Sequence, residues 1–581
     1  MMKVLKNLSS FFTFSVFVIL IIFFLHPIPI ADINNDLGRH LLLGKIIVTS
    51  GHVPLTNLLS YTFPNFPFIN SHWLSEVIFY VSVHALGLNS LIFISVIVTA
   101  VAFLLLFSTA TKSFKVFPTT LVSLIYLMVL SERTQIRPEM FSFLLLAIFI
   151  VLLYNYKKRF TNWIFALIPL ELFWVNLHIY FFVGIGVLGI FLIDEAVVSK
   201  GRFLTKKFLT LLLVTLVATT VTLVNPNFLR GATFPSFALQ NYGFSVEENA
   251  NFLFAMQFYK DPTFTYFIAA SCLLVVALIF ARKKMSPADL LLSLFFLLAG
   301  ISAVRNFPLF VFGTFIPCAK ATSYLYEVFS KKHIREKIFL WQIVSFVLIC
   351  IAISPLVIWN INNHGFGLGV IDHDQDAVSF FIKNNLRGPI YNNFDAGNYL
   401  AYRLYPHEKV FVDGRPEAYP RDFFQNIYYP MQTSPAKFAE VSKLYGFNTI
   451  FFNHTDQSNE AAQLLTQLLS NSDWKIVYLD GSVVIFLKNS PQNQKIIHDY
   501  TFDQDQVHIS DSDLKDKDKV RNLANFFQEV EWTKPELAMD LHFLDFEPKN
   551  CQVLRNVLIL LQQKNDPTSA IYSLRFTTTC Q

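Results

Sequence analysis

Apolar residues in this 581-residue chain come in long, nearly unbroken runs rather than in alternation with polar ones. A helix needs about 20 such positions to cross a bilayer, and somewhat fewer inside a packed bundle. By that measure about eleven transmembrane helices are predicted, at 10–30, 88–111, 117–131, 138–155, 162–177, 179–195, 207–224, 263–282, 287–304, 307–326 and 338–359. The first run is long and no small-x-small cleavage pattern follows it, so it reads as a retained span. Residues 73–87 are apolar but shorter, and they carry Glu76 and His84. They predict an amphipathic helix lying on the outer surface, within a first external loop at 31–87.

The pattern changes after residue 359. Helices are predicted at 375–386, 434–445 and 458–470, strands at 388–394, 409–415 and 448–452, and a hairpin at 474–488 around Asp480-Gly481-Ser482. Such alternation predicts a small α/β domain over 360–495. Residues 496–581 read as a polar linker, including a solvated, mobile stretch at 511–519, followed by a helical tail at 519–575.

Composition agrees: 53% of residues are hydrophobic, only 15% are charged and 63 are Phe, too much apolar surface for a soluble chain to bury. Basic residues set the orientation. Lys3, Lys6, Lys112, Lys115, Lys157, Lys158, Arg159, Lys200, Arg202, Lys206, Lys207, Arg282, Lys283, Lys284, Lys331, Lys332, Arg335 and Lys337 fall on one side. The opposite loops hold only Arg39, Lys45, Arg133, Arg137, Arg230, Lys260 and Arg305. The N-terminus is therefore expected in the cytoplasm and the C-terminal region outside, in a multi-pass protein of the plasma or inner membrane. Residues 1–359 carry about +12 and residues 360–581 about −7, so the net +5 reflects topology and not a nucleic-acid patch. Cys272, Cys318 and Cys350 fall in spans, whereas Cys551 and Cys580 share the external tail, where an oxidising compartment would allow them to pair but two Cys residues alone fix no geometry.

Ionisable residues at membrane boundaries are costly and are the default site candidates. As a helix, Asp32, Asp36 and His40 would lie on one face with Arg39 beside them. A carboxylate there suits general-base chemistry, or is simply a favourable residue for a helix N-terminus. His72 and Glu76 fall four apart on the surface helix, capped by Asn70 or Ser71, with Trp73 at the headgroup level. Other external ends supply Glu132, Arg137, the Trp174–His178 segment, Asn225-Pro226 and Arg305. Arg137 and Arg305 could each grip a phosphate through the planar guanidinium fork, or simply reach up to the interface. His40, His72 and His178 match no zinc-ligand spacing, and nothing in the chain signals a magnesium or manganese site. P-loop, GxGxxG, GxSxG and HExxH motifs are missing.

Taken in order, Asp36-Leu37-Gly38-Arg39-His40-Leu41, Gly44, Pro54, Tyr61-Thr62-Phe63 and Asn70 through Glu76 form a recognisable set. Arg137-Pro138, Trp174 through His178, Asn225-Pro226, Gly397-Asn398-Tyr399-Leu400 and Val412-Asp413-Gly414-Arg415 continue it. The set resembles the GT-C glycosyltransferases, a superfamily that includes protein O-mannosyltransferases, oligosaccharyltransferase catalytic subunits and lipid A aminoarabinose transferases. The resemblance spans roughly 10–490 and is closest to an uncharacterised prokaryotic branch. It implies a GT-C-like transmembrane domain over 1–359 followed by an external α/β domain. It also implies an inverting transfer of a hexose-type sugar from a polyprenyl-phosphate donor to a glycan, lipid or protein acceptor at the outer face. Asp36, with Asp32 as second candidate, would be the external-loop residue that acts as catalytic base or assists the acceptor. Arg39, His40, His72, Glu76, Glu132 and His178 would line the donor site, and Arg137 and Arg305 would hold the carrier phosphate. The chain departs from the family in lacking adjacent acids in the first loop, which leaves metal use open.

Two other classes fit less well. A lipid-linked glycan transporter would show related halves and midplane broken helices, and neither is visible. A catalytically silent scaffold with an external glycan- or cell-wall-binding domain would use the long tail and leave Asp36 idle.

Overall fold

Each predicted span from 88–111 to 307–326 falls on a helix in the computed structural model, which describes residues 28–30, 36–130, 135–237, 249–258, 261–332, 366–371, 374–456, 458–580 and isolated positions between 351 and 362. The spans at 10–30 and 338–359 lie almost wholly outside the described residues. The chain divides into two units, and the first comprises Met1–Ala31, Leu43–Val53 and Ile69–Val370.

The helices of that part are α1 (Gly38–Ser50, its first residues belonging to the second unit), α2 (Trp73–Leu86), α3 (Ser90–Thr111), α4 (Val116–Leu130), α5 (Glu139–Lys158) and α6 (Leu167–Leu177). They continue as α7 (Phe181–Val198), α8 (Lys206–Val221), α9 (Phe228–Phe237), α10 (Phe252–Phe258), α11 (Pro262–Ala281), α12 (Pro287–Ser302) and α13 (Phe307–Lys332). Four helical stretches among the described residues are long and apolar enough to cross a membrane: α3, α5, α7 and Pro262–Lys284. On α3, Phe93, Ile97 and Val101 are exposed at a four-residue spacing, and α12 exposes Leu290, Leu294 and Leu298 in the same way. An outward apolar stripe is the signature of a helix that faces lipid.

The phenylalanines hold the bundle together. Buried α13 stacks Phe312 on Phe143 of α5, Phe310 on Tyr126 of α4 and Phe307 on Phe267 of α11, the last with centroids 4.2 Å apart. Gly313 lets α13 approach Phe296 of α12 so closely that a β-carbon would lie 2.0 Å from the ring. Small residues of this kind let membrane helices close on one another. At the end of the bundle bearing the lysines, Lys157 pairs with Asp194 at 2.6 Å, Lys207 with Glu195 at 2.9 Å and Lys320 with Asp289 at 2.6 Å. Tyr154 also donates to Asp289, and the amide of Ala288 to Asp194.

Helix α2 turns its polar side inward. Ser75, Glu76 and Phe79 are buried, whereas Val81 and Leu86 are exposed. The expected cap is also different: His72 precedes the helix and no side chain caps it, Asn70 Oδ1 accepting instead from the amide of His72.

The second unit comprises Asp32–Leu42, Pro54–Phe68 and Ile371–Gln581. Two pieces of the first loop thus group with the C-terminal residues, and the helical tail groups with the α/β domain. Its elements are α14 (Gln375–Lys383), β1 (Ile390–Asn392), α15 (Phe394–Leu404), α16 (Pro435–Tyr445), β2 (Thr449–Asn453), α17 (Asn459–Ser470), β3 (Trp474–Leu479), β4 (Val483–Lys488) and α18 (Gln494–Tyr500). The tail adds α19 (Asp511–Leu514), α20 (Lys517–Glu529), α21 (Thr533–Phe546), α22 (Cys551–Gln563) and α23 (Ser569–Cys580). The sheet order is β1-β2-β4-β3, with β1 parallel to β2 and the 474–488 hairpin antiparallel as predicted.

Two predictions are corrected here. Residues 409–415 make a single bridge, Val410 to Ser60, instead of a strand. The side chain of Asn392 accepts from the amide of Phe411 and donates to the carbonyl of Val412, doing the work of a neighbouring strand. Residues 511–519 are helical and anchored: Ser510 caps α19, Asp516 caps α20, and buried Asp513 pairs with Lys519 at 3.0 Å. Polar composition suggested solvation, but Asp, Ser and Asn at these positions are capping residues. Cys551 and Cys580 form a disulfide that ties α23 back to the start of α22. Cys318 is a buried free thiol, Cys272 is free and exposed, and Cys350 lies outside the described residues.

Candidate functional site

In the first unit, two hydrogen bonds join the start of α2 to the end of α6. Trp73 Nε1 donates to Asn176 Oδ1 at 2.8 Å, and Ser75 Oγ donates to the carbonyl of Leu177 at 2.6 Å. Helix α6 stops at Leu177, and extended His178 carries the chain into α7. The consequence is that the rings of His72 and His178 meet, centroids 5.1 Å apart.

His178 is held from several sides. Its Nδ1 lies 2.9 Å from Ser142 Oγ, and the amide of Tyr180 points at the same nitrogen from 3.4 Å. Ser142 Oγ already accepts from Trp174 Nε1 at 2.8 Å, so its own proton is left for His178. Two donors aimed at Nδ1 make it the acceptor and put the ring proton on Nε2. The Tyr180 ring stands edge-on to His178 at 4.6 Å. Tyr180 Oη accepts from Arg305 Nε at 3.2 Å and donates to Asn306 Oδ1 at 3.0 Å. Arg305 Nη1 reaches Asn249 Oδ1 at 3.0 Å. On the other flank, fully buried Glu76 accepts from Asn70 Nδ2 at 2.6 Å, while Asn70 Oδ1 accepts from the amide of His72. His72, Glu76, His178 and Arg305 are therefore linked through Asn70 and Tyr180. Arg137 sits just ahead of α5, half-buried.

In the second unit, Arg39 Nη2 donates to Asp36 Oδ1 at 2.9 Å across one helical turn, and His40 beside it is buried. The turn after residue 412 forms a buried ionic knot. Arg415 Nε and Nη2 grip both oxygens of Asp413 at 2.8 and 2.7 Å. The same Nη2 donates to Asn57 Oδ1 at 2.7 Å, and Asn57 Nδ2 donates to the carbonyl of Ala418. Tyr419 Oη donates to Asp413, and the Arg415 guanidinium lies 4.5 Å from the Phe68 ring centroid. Burial opposes the Arg415 charge, but Asp413 outweighs it and raises the arginine above its ordinary value. Next in the turn, burial pushes the Glu417 carboxyl up, with Arg39 and then Arg415 pulling the other way. Glu417 and Arg39 are thus electrostatic neighbours.

Of the residues named from sequence, the structure joins Asp36 to Arg39 and His72 to His178, with Glu76 and Arg305 in the latter's network. Asp32 and Glu132 lie outside the described residues. Among the described residues no three His, Cys, Asp or Glu side chains gather as metal ligands would. Sequence reasoning missed Ser142, Tyr180, Asn57 and Glu417 as members of these clusters. Tyr180, two residues after His178, and Glu417, inside the conspicuous polar turn, had some signal; Ser142 and Asn57 had none.

The architecture is that of the GT-C glycosyltransferase fold. The archaeal oligosaccharyltransferase AglB of Archaeoglobus fulgidus, solved with an inhibitory peptide and a dolichol-phosphate, superposes with a TM-score of 0.57 at 12% identity, covering 92% of this chain and 86% of that one. The apo form of the same organism's oligosaccharyltransferase gives 0.53 at 12% identity over 80% and 73%. ArnT of Cupriavidus metallidurans in its apo state gives 0.50 at 13% identity over 83% and 98%. No protein-family model matches the sequence, and no curated protein is similar enough in sequence to be counted a relative.

Proposed function

We propose that this chain is a membrane glycosyltransferase that moves a sugar from a polyprenyl-phosphate carrier to an acceptor at the external face of the cell membrane. The observation carrying this reading is the GT-C fold over nearly the whole chain, shared with an oligosaccharyltransferase that binds dolichol-phosphate. The reaction is a displacement at the anomeric carbon with inversion. The acceptor's nucleophilic atom forms the new bond, the bond from that carbon to the phosphate oxygen breaks, and the carrier phosphate departs with the electron pair.

In this reading Asp36 takes the acceptor proton, with Asp32 as the other acid of the loop. Arg39 holds the Asp36 carboxylate in place through the 2.9 Å contact between them. Arg305 and Arg137 hold the leaving phosphate, where positive charge is most useful as the bond breaks. His72, Glu76, His178, His40 and Glu132 shape the donor site. The disulfide fits an oxidising, extracytoplasmic setting for the second unit.

Binding of the carrier tests the phosphate role. Polyprenyl phosphate should co-purify with the wild-type protein and be reduced roughly tenfold or more in Arg305→Gln, as loss of a charge-assisted contact predicts. Equal retention by both proteins would remove Arg305 from the donor site.

A further inference from the structure

The second unit carries an unassigned cleft in its helical tail, between α20, α21 and α22, with a volume of about 160 Å³. Arg521, Asn525 and Gln528 recur at helical spacing along α20, and Gln552, Arg555 and Asn556 along α22, so two polar stripes line one cleft. Ala524, Val553 and Ile559 give it apolar patches. On α21, buried Asp540 shares the Asn556 amide with Glu536: Nδ2 donates to Asp540 Oδ2 at 2.5 Å and to Glu536 Oε1 at 3.0 Å. Asn556 is thereby fixed with Oδ1 left as an acceptor.

The arginines are what point to a ligand. Arg521 lies over the Phe543 ring at 5.4 Å and attracts Asp540 and Glu547, yet among the described residues neither Arg521 nor Arg555 donates a hydrogen bond or forms an ion pair. Two guanidinium forks with unused donors suit a carboxylate or phosphate. The amides on either side extend the polar surface beyond what a single small anion would cover. Amides beside apolar patches also match the hydroxyl edges and C–H faces of a sugar ring. The disulfide that closes α23 onto α22 anchors the start of one wall.

We propose that this cleft binds an acidic sugar, its carboxylate between Arg521 and Arg555 and its hydroxyls on Asn525, Gln552 and Asn556. The site is separate from the transfer chemistry proposed above and does not depend on it. It would give the tail a means of selecting negatively charged glycan.

The test is equilibrium binding to the full-length protein in lipid nanodiscs, with no donor lipid present, so that its outcome is independent of catalysis. Trigalacturonate is expected to bind wild type and to lose roughly tenfold or more in affinity in R521Q/R555Q. A neutral galactose trisaccharide should bind correspondingly less well. Arg521 also attracts Asp540 and Glu547 and lies over Phe543, so the melt of R521Q/R555Q is recorded beside the wild type to show that the variant is folded. Should it misfold, N525A/Q552A serves instead, and a several-fold loss is expected. Absence of trigalacturonate binding, equal binding of the neutral trisaccharide, unchanged affinity in a folded variant, or displacement by equimolar inorganic phosphate would each overturn the proposal.

Discussion

Replacing Arg415 by Met probes the knot that fastens residues 54–68 to the α/β domain of the second unit. Arg415 is buried, bonded twice to Asp413 and once to Asn57, and packed on Phe68. Methionine fills similar volume, so the loss is electrostatic and not a cavity. Removing one partner of a buried pair strands the other and costs about 3–5 kcal/mol. The Asp413 carboxylate keeps the Tyr419 hydroxyl and the backbone amide of residue 415, so the upper half of that range is expected. Adding Asp413→Asn removes the stranded charge, and the double variant should recover at least about half of the loss, a coupling of roughly 2 kcal/mol or more. Denaturant unfolding in detergent gives the energies, and limited proteolysis should show cleavage within 54–68 appearing in R415M. A single variant within about 1 kcal/mol of wild type, or a double variant as damaged as the two singles summed, would refute the argument.

Two further outcomes follow from packing and burial. Burial, then Glu536, raises the Asp540 carboxyl to about 6, against the opposing pull of Asn556 and Arg521. The folded state then holds a proton that the unfolded chain releases near pH 4, so this contribution is present below that point and lost as pH rises through 6. Asp540→Asn should therefore flatten the decline in stability between pH 4 and 7, by an amount on the order of 2 kcal/mol, read from melts across pH. In the first unit, Gly313→Ala should destabilise by about 1–3 kcal/mol because its β-carbon meets the Phe296 ring. Gly186→Ala, where the nearest atom is 3.9 Å away, should melt as wild type.

The long apolar helices were legible in the sequence: each predicted span among the described residues falls on a helix, and four helical stretches are long and apolar enough to cross a membrane. The hairpin at Asp480-Gly481-Ser482 was equally plain, since turn chemistry and β-rich flanks agree. Errors arose where one side chain replaces a backbone ladder, as Asn392 does for residues 411 and 412, or where capping residues mimic a solvated stretch, as at 510–519. The two polar clusters were legible in their charged members and not in their neutral partners. Asp36, Arg39, His72 and His178 stand out in an apolar chain, whereas Ser142 and Asn57 become visible only when helix packing and a loop 358 residues away in sequence bring them to His178 and Arg415.

Glycosyl transfer itself is the most direct test of the account. Membranes holding the wild-type chain, supplied with a radiolabelled sugar on polyprenyl phosphate, should release free carrier phosphate and label an acceptor. Asp36→Asn should lower that rate by a factor on the order of a hundred or more, as loss of a general base does, while reaching the membrane at wild-type levels. Undiminished transfer by the Asn variant would contradict the assignment of Asp36, and no transfer by wild type from any polyprenyl-phosphate sugar would contradict the function.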